Sequence, residues 1–307
     1  MIAFDMLTLV STPDCIAYVD PAAFTTEYKE GAPYRLKMTM KSPFYLHIEV
    51  NYQKGEMKME FSGKVLGERY PELINLNTIK ECFQRINDLG FIEIDADKMM
   101  SAQVMKCDVT KDVAVTDIPS LTRFIRGHIR NYHSYNCKPH KNGNTDIFKN
   151  VDGKDYQRWL TIYDKQKEMM RKAGQKFAES YGLEGKHDGL CRFEMKLTSQ
   201  QAIRDALGIT GTTLAEVLCS ERNPIADFLD DVIQQDTTAN TQDTWKTYWQ
   251  TLVLEDCDYD IGKVEHKLRE YKNGGISKAL QPFRDIVEAK SSGSSKWTKA
   301  RLLDLVR

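Results

Sequence analysis

The sequence Trp159-Leu160-Thr161-Ile162-Tyr163-Asp164-Lys165-Gln166-Lys167-Glu168-Met169 predicts the junction around which the fold is organised. An apolar strand turns there into a charged helix. Tyr163 stands at the junction, with Lys165 two residues and Lys167 four residues further along. A tyrosine hydroxyl is a poor nucleophile at neutral pH because its pKa is about 10, although nearby cations or a metal ion can activate it. The stretch predicts either a nucleophilic tyrosine or an ordinary tyrosine at a strand end.

Three acidic residues lie in strands predicted on either side of this stretch. Asp108 lies in the strand 101–109, Glu194 lies in the strand 190–197 beside Arg192, and Glu60 ends the strand 57–61. If these strands pair, the carboxylates converge on one face of a sheet, where they could bind Mg²⁺ or Mn²⁺ through oxygen. Such an ion polarises a phosphoryl oxygen. The alternative is that each acid is a charge on the solvated face of a half-covered sheet.

The remaining pattern predicts an α+β protein. Further strands are expected at 2–10, 34–40, 44–53, 145–149 and 158–163, with a polar loop at 136–144. Helices are expected at 77–90, from about 119, and at 164–181 and 199–207. From there on only helices are predicted, at 213–220, 224–235, 242–254, 260–271, 277–289 and 297–306. We therefore predict a catalytic domain at 1–210 and an α-helical region at 211–307.

The charge distribution is more informative than the net charge of −1. Residues 118–145 contain no acidic residue, whereas residues 221–260 carry ten acids against two basic residues. The acid-free segment predicts either a track for a DNA backbone, with Tyr132 and Tyr135 able to stack on bases, or a solvated helix face. The basic residues assigned to DNA binding are Arg123, Arg126, Arg130, Lys138, Lys141 and Lys167.

Several classes of protein are disfavoured. The sequence has no P-loop, no dinucleotide-binding glycine pattern, no HExxH, no GxSxG and no His-apolar-His pair. The group His128, His133, Cys137 and His140 matches no standard zinc spacing. No apolar run approaches the length of a membrane span, the start does not resemble a signal peptide, and the seven cysteines are scattered. We therefore expect a cytoplasmic protein with free thiols, within a host cell if it belongs to a mobile element.

Five short motifs in this order resemble the gene II and gene X replication initiators of filamentous phages and the related plasmid Rep proteins, divergent relatives of the HUH rolling-circle nickases. The resemblance covers residues 1–200 approximately. The motifs are Asp5-Met6-Leu7, Glu60-Phe61-Ser62-Gly63-Lys64-Val65-Leu66-Gly67, Lys106-Cys107-Asp108-Val109-Thr110, Leu160-Thr161-Ile162-Tyr163-Asp164-Lys165-Gln166-Lys167-Glu168 and Cys191-Arg192-Phe193-Glu194-Met195-Lys196-Leu197.

The resemblance implies a central antiparallel sheet flanked by helices and a metal-dependent, site-specific DNA nicking-joining enzyme that initiates rolling-circle replication. It places the catalytic tyrosine at Tyr163 and the metal ligands at Asp108, Glu194 and Glu60. Lys165 and Arg192 would hold the phosphate or lower the tyrosine pKa. The expected partners are origin DNA and a host helicase and polymerase. A relaxase-like mobilisation or transposition protein, a non-catalytic DNA-binding regulator and a hydrolytic nuclease remain alternatives.

Overall fold

The fold is described from a computed structural model. The described residues are 2–129, 135–140, 142–149, 158–233, 245–257, 260–271, 274–291 and 297–307. Two of the predicted DNA-binding residues, Arg130 and Lys141, lie outside them.

Twelve strands are described, and ten of them form one antiparallel sheet. The strands are β1 Phe4–Ser11, β2 Ile16–Val19, β3 Thr25–Lys29, β4 Ala32–Met40, β5 Leu46–Asn51, β6 Glu56–Ser62, β7 Ile92–Ile94, β8 Gln103–Ala114, β9 Tyr135–Pro139, β10 Thr145–Lys149, β11 Arg158–Asp164 and β12 Leu190–Leu197. The order in the large sheet is β3-β4-β5-β6-β1-β8-β12-β11-β10-β9, and β2 pairs with β7. The mixed α+β architecture with a large antiparallel sheet is confirmed.

Twelve helices are found in the described part of the chain, together with a 3-10 helical segment at Gly63–Glu72. The helices are α1 Ile79–Asn87, α2 Ala96–Met99, α3 Ile118–Gly127, α4 Lys165–Met169, α5 Lys172–Tyr181, α6 Gln200–Leu207, α7 Leu214–Leu218, α8 Pro224–Val232, α9 Trp245–Asp256, α10 Ile261–Tyr271, α11 Ile276–Ser291 and α12 Lys299–Val306. The predicted helical C-terminal region is confirmed. Within the described ranges, no helix has the length and apolarity needed to cross a bilayer.

The centre of the sheet has one apolar and one polar face because side chains alternate along each strand. The apolar side chains of the central strands are almost fully buried, including those of Leu7, Phe61, Cys107, Phe193 and Ile162. Helix α1 contributes to this core through an edge-to-face contact between Phe83 and Phe61, whose ring centroids are 6.0 Å apart. Helices α6 and α8 contact β8 and β12, and α3 contacts β11. The predicted acids therefore lie on the opposite, polar face.

The chain divides into two compact units, one formed by residues 1–234 and 300–307 and the other by 235–299. This division differs from the boundary predicted at residue 210. Backbone bonds from Val104 N to Thr212 O (2.7 Å) and from Leu214 N to Ala102 O (2.8 Å) attach the segment after residue 210 to β8. Helices α7 and α8 therefore belong to the first unit, whereas α9, α10 and α11 pack around a small core of their own.

Three local predictions require correction. Residues 135–139 form strand β9, paired with β10, where a polar loop was expected. Strand β8 continues five residues beyond Val109, to Ala114. The helix expected at 164–181 is broken into α4 and α5, and a Cβ at Gly174 would lie 2.6 Å from the carbonyl oxygen of Met169. Glycine at that position permits the close approach of the two short helices.

Candidate functional site

The predicted site residues lie on neighbouring strands at the centre of the sheet. Glu60 is on β6, Asp108 on β8, Arg192 and Glu194 on β12, and Tyr163 on β11, and the strand order is β6-β1-β8-β12-β11. The intervening strand β1 contributes another acid, Asp5. The strands that carry the three predicted acids and Tyr163 therefore lie close together in the sheet, which the sequence alone did not establish. This arrangement arises from long-range antiparallel pairing, which brings together residues more than 100 positions apart.

The register places these side chains on one face. Tyr163 pairs with Arg192, and Glu194 pairs with Thr161 on one side and Thr110 on the other. Asp108 lies two residues before Thr110, so Asp108, Glu194 and Tyr163 form a diagonal across three strands. Diagonal neighbours on one face of an antiparallel sheet lie within reach of long side chains. The diagonal is therefore the geometric frame of the candidate site.

Tyr163 and Glu194 form the central contact of this diagonal. The hydroxyl of Tyr163 donates a hydrogen bond of 2.8 Å to Oε2 of Glu194, and the two residues are 6% and 9% exposed. Burial and the nearby Glu194 charge raise the pKa of Tyr163 well above its usual value. Burial and the charge of Asp5 raise the pKa of Glu194. The raised pKa of Glu194 makes its carboxylate a stronger base. The raised pKa of Tyr163 keeps its hydroxyl protonated until a base removes the proton.

The carboxyl group of Asp108 has a strongly raised pKa. Burial and the neighbouring charge of Glu194 raise its pKa to about 7, and Asp5 and Glu60 add smaller contributions in the same direction. Lys196 opposes the shift and lies 3.8 Å from Oε1 of Glu194. A cluster of carboxylates that raise one another's pKa is an arrangement that a cation would relieve.

The donor chemistry suits Mg²⁺ or Mn²⁺, but the carboxylates do not form a complete cage. Among the residues that the structure describes, no three or more His, Cys, Asp or Glu side chains are grouped closely enough to hold a metal ion. Mg²⁺ is commonly held by one or two carboxylates, with water and substrate phosphate completing its octahedron. The oxygen-rich pair Asp108 and Glu194 fits that requirement in kind, and Glu60 lies further away along the sheet, paired with Thr8 of β1.

Arg192 occupies a buried ion-pair network instead of an open phosphate site. Its Nε and one terminal nitrogen donate bonds of 2.6 Å to the two carboxylate oxygens of Asp112. The other terminal nitrogen donates to the Tyr70 hydroxyl at 2.8 Å and lies 3.2 Å from Oδ1 of Asp5. The Arg192 side chain is 0% exposed. The two parallel bonds to Asp112 hold the Arg192 guanidinium in one orientation on the sheet face that also carries Tyr163.

Lys165 also differs from its expected setting. It was expected to hold the phosphate or lower the tyrosine pKa, but it is a buried residue at the start of α4. Its Nζ donates a bond of 2.7 Å to Glu168 and lies 5.8 Å from the centre of the Tyr163 ring. Burial and the charge of Arg192 lower the pKa of Lys165. The Lys165 ammonium group is thus buried near the Tyr163 ring and paired with the Glu168 carboxylate.

A cap closes the end of the polar face next to Tyr163. We use this name for Gly63–Glu72 together with α4 and α5, which share a buried cluster of Tyr70, Leu73, Met169, Phe177, Ala178 and Leu183. His187 is fully buried against the Tyr70 ring at 5.9 Å. Neither of its ring nitrogens has a hydrogen-bond partner within the described part of the chain. Burial, Lys165 and Arg192 lower its pKa to about 4, so His187 is neutral near pH 7.

The described residues of the predicted DNA track are mostly on the surface. Arg123, Lys138 and Lys167 are exposed, and Arg126 is half-buried with its Nε bonded to the carbonyl of Thr122 at 3.2 Å. Lys167 lies 3.3 Å from Asp164. Tyr135, expected to stack on bases, instead donates a hydrogen bond to Asp231 and packs against Phe228 of α8.

Asp5, Tyr70 and Asp112 belong to the site network but were not assigned to it from sequence. Asp112 was missed because the predicted strand ended at Val109. Its signal is the alternation of Asp108, Thr110 and Asp112 along one face of β8. Asp5 had a weaker signal, as the one charged residue of strand β1. Tyr70 had no usable signal, because only tertiary folding of the cap brings it to Arg192.

No family model matches the chain, and no curated protein or solved structure matches it significantly. The likeness to phage replication initiators therefore rests on the five sequence motifs. The HUH-type arrangement stays a prediction within the α+β architecture described above.

Proposed function

We propose that the protein is a metal-dependent DNA nicking-joining enzyme that initiates rolling-circle replication. The observation that carries the proposal is the 2.8 Å hydrogen bond from the Tyr163 hydroxyl to Glu194, beside Asp108 on the polar face of the sheet. A tyrosine hydroxyl that is hydrogen-bonded to a carboxylate can act as a nucleophile, with the carboxylate as the base that accepts its proton. The nearby acids would accommodate a divalent cation, and a nucleic acid is the substrate whose charge such a cation would offset.

The reaction begins with attack of the Tyr163 oxygen on the phosphorus of a phosphodiester. The tyrosine proton passes to Glu194, the bond from phosphorus to the 3′ oxygen breaks, and the 5′ phosphate becomes attached to Tyr163. The 3′ oxygen takes up a proton from solvent while Glu194 returns its own to solvent, which leaves a 3′ hydroxyl that can prime a host polymerase. Asp108 and the other carboxylate oxygen of Glu194, Oε1, would hold Mg²⁺ or Mn²⁺, which supplies polarisation of the phosphoryl oxygen. Rejoining is the reverse transfer, because the phosphotyrosine bond retains the energy of the phosphodiester.

Arg192 acts in this proposal as a positioning residue. Its bonds to Asp112 and Tyr70 join strands β8 and β12 to the cap. Lys165, whose Nζ bonds to Glu168 and lies 5.8 Å from the centre of the Tyr163 ring, is a second positioning residue. Because Tyr163 is only 6% exposed, the reaction requires a local opening around its hydroxyl when DNA binds.

The low exposure of Tyr163 favours a second candidate, a non-catalytic DNA-binding regulator. Incubating supercoiled DNA that carries the sequence flanking the gene with the protein separates the two. Conversion to open circles with Mg²⁺ or Mn²⁺, absent with EDTA, supports the nickase. Binding without conversion under all metal conditions favours the regulator. Conversion without any protein attached to the cut strand indicates a hydrolytic nuclease.

A further inference from the structure

A cleft of about 400 Å³ opens on the polar face beside the candidate site. It is lined by His140, Asn142, Asn144, Asp146, Trp159, Thr161 and Lys196. Thr161 pairs with Glu194, and Lys196 pairs with both Trp159 and Asp108. The cleft therefore begins one residue pair away from the Tyr163–Glu194 contact and continues over β11 towards β10.

One aromatic ring, that of Trp159, lines this cleft, and the ring of Phe148 packs beside it. Trp159 and Phe148 pair across β11 and β10, their ring centroids are 5.1 Å apart, and both are half-buried. Thr161 and Asp146 form the neighbouring cross-strand pair. Trp159 is two residues from Thr161 and Phe148 is two residues from Asp146, so all four side chains lie on one face of the sheet. Half-exposed aromatic rings on a sheet surface are a platform on which nucleic-acid bases stack.

The polar lining supplies hydrogen-bonding groups and one cation. Asp146 is 6% exposed, and its Oδ2 accepts a bond of 2.6 Å involving Nε2 of His140. The side chains of Asn142 and Asn144 carry both donors and acceptors, which suit the edge of a base. The Lys196 side chain is 48% exposed and lies on the side of the cleft nearest Glu194. The arrangement therefore offers an aromatic ring, polar groups and a cation within one concavity.

We infer that this cleft binds one nucleotide of single-stranded DNA next to the phosphate that Tyr163 attacks. The base stacks on Trp159, and its phosphate contacts Lys196. A base within a duplex is stacked on both sides and cannot enter a concave site, so the ligand is single-stranded. The inference rests on the proposed function for the choice of DNA as the ligand, whereas the site itself follows from the aromatic pair and the polar lining.

The test measures binding without chemistry. Fluorescence anisotropy of a labelled single-stranded oligonucleotide is recorded in EDTA with full-length Tyr163→Phe protein. Adding Trp159→Leu lowers affinity roughly tenfold because a stacking surface is lost, whereas Trp159→Phe retains most of it. Adding Lys196→Gln lowers affinity several-fold and reduces the slope of log affinity against log salt by about 0.7. The matched control Lys80→Gln, on α1, leaves both quantities unchanged.

Abasic substitutions locate the nucleotide. Removing each base in turn weakens binding to the Tyr163→Phe protein most at one position, and Trp159→Leu abolishes that dependence. Equal affinity of Trp159→Leu and Trp159→Phe proteins, tighter binding of duplex DNA, or tighter binding of RNA would overturn the inference. If the cleft variants behave as expected but no DNA is nicked, the proposed function fails and the binding site stands. If nicking occurs while the cleft variants bind normally, the binding site alone fails.

Discussion

The hydroxyl of Tyr163 lies 2.8 Å from Oε2 of Glu194 on the neighbouring strand, although the two residues are 31 positions apart in the sequence. Tyr163 is paired in register with Arg192, and Glu194 follows two residues later on the same face. The contact therefore depends on the register of β11 and β12, since a slip of one residue would place Glu194 on the apolar face. The proposed chemistry depends on this register.

Replacing Glu194 with Gln should abolish nicking while leaving DNA binding close to that of the unaltered protein. The amide cannot take the proton that the Tyr163 hydroxyl now donates to Glu194. We expect a loss of at least 100-fold in the rate of nicking, the usual contribution of a general base. Single-turnover nicking and anisotropy measure the two effects. Normal nicking by Glu194→Gln protein would remove Glu194 from the mechanism.

Without bound metal, the ionised Asp108 carboxylate should lower the stability of the folded protein above neutral pH. Because the pKa of Asp108 is raised to about 7 from its usual 3.8, folding takes up a proton between those pH values. Its contribution to stability is present below about pH 4 and is lost as the pH rises towards 7. In EDTA at pH 8, Asp108→Asn should therefore raise the Tm by several degrees.

The comparison with metal present separates this effect from general stabilisation. Mg²⁺ should raise the Tm of the unaltered protein at pH 8, since it binds the folded state. It should have a much smaller effect on Asp108→Asn. An equal Mg²⁺-induced shift in both proteins would show that Asp108 is not a ligand. Differential scanning fluorimetry between pH 5 and pH 8 provides both readings.

Arg192→Lys should destabilise the fold by about 2 kcal/mol or more, because lysine cannot make the two parallel bonds to Asp112. Arg192→Ala should cost about 3–5 kcal/mol, since it leaves buried acids without their partner. Urea unfolding measures both changes. The exposed Arg123→Lys is the matched control and should unfold like the unaltered protein. If Arg192→Lys lowers nicking with no effect on unfolding, Arg192 acts on the phosphate directly.

Gly67 should be intolerant of any side chain. Its φ of 58° and ψ of −119° lie in a region that only glycine adopts readily. A Cβ there would also lie 2.7 Å from atoms of Arg85 and Tyr181. We expect Gly67→Ala to destabilise the protein by about 2–3 kcal/mol. Gly90→Ala, with φ of 79° and open space around the Cβ, should cost less. Equal urea midpoints for the two variants would contradict this account of the cap.

Sequence patterns predicted the bounds of an element correctly where the alternation of apolar and polar residues agrees with their burial. Strand β12 has the bounds predicted, 190–197, because its apolar face alternates with Arg192, Glu194 and Lys196. Helix α6 also follows its prediction, with the Ser199 side chain accepting a bond from Ala202 N at 3.2 Å. The diagonal of Asp108, Glu194 and Tyr163 could be anticipated only as a possibility, since strand order is a long-range property.

Other features depend on tertiary contacts that local pattern does not encode. Strand β9 was missed because Tyr135–Pro139 is polar and ends in proline, and its strand conformation comes from pairing with β10. Asp112 is paired with the buried Arg192, which offsets the cost of its partial burial. The role expected for Lys165 was drawn from its place two residues after Tyr163, and that of Arg192 from its place on a strand expected to neighbour Tyr163. The structure instead shows both cations already paired with acids.

The most direct test of the central claim is a search for a covalent protein–DNA adduct. The full-length protein is incubated with Mg²⁺ or Mn²⁺ and single-stranded DNA labelled on the 3′ side of the cut, taken from the sequence flanking its gene. Denaturing gels should show label migrating with the protein, and mass spectrometry should place the modification on Tyr163. Tyr163→Phe should bind the DNA and form no adduct. An adduct that persists in Tyr163→Phe protein would contradict the assignment of the nucleophile.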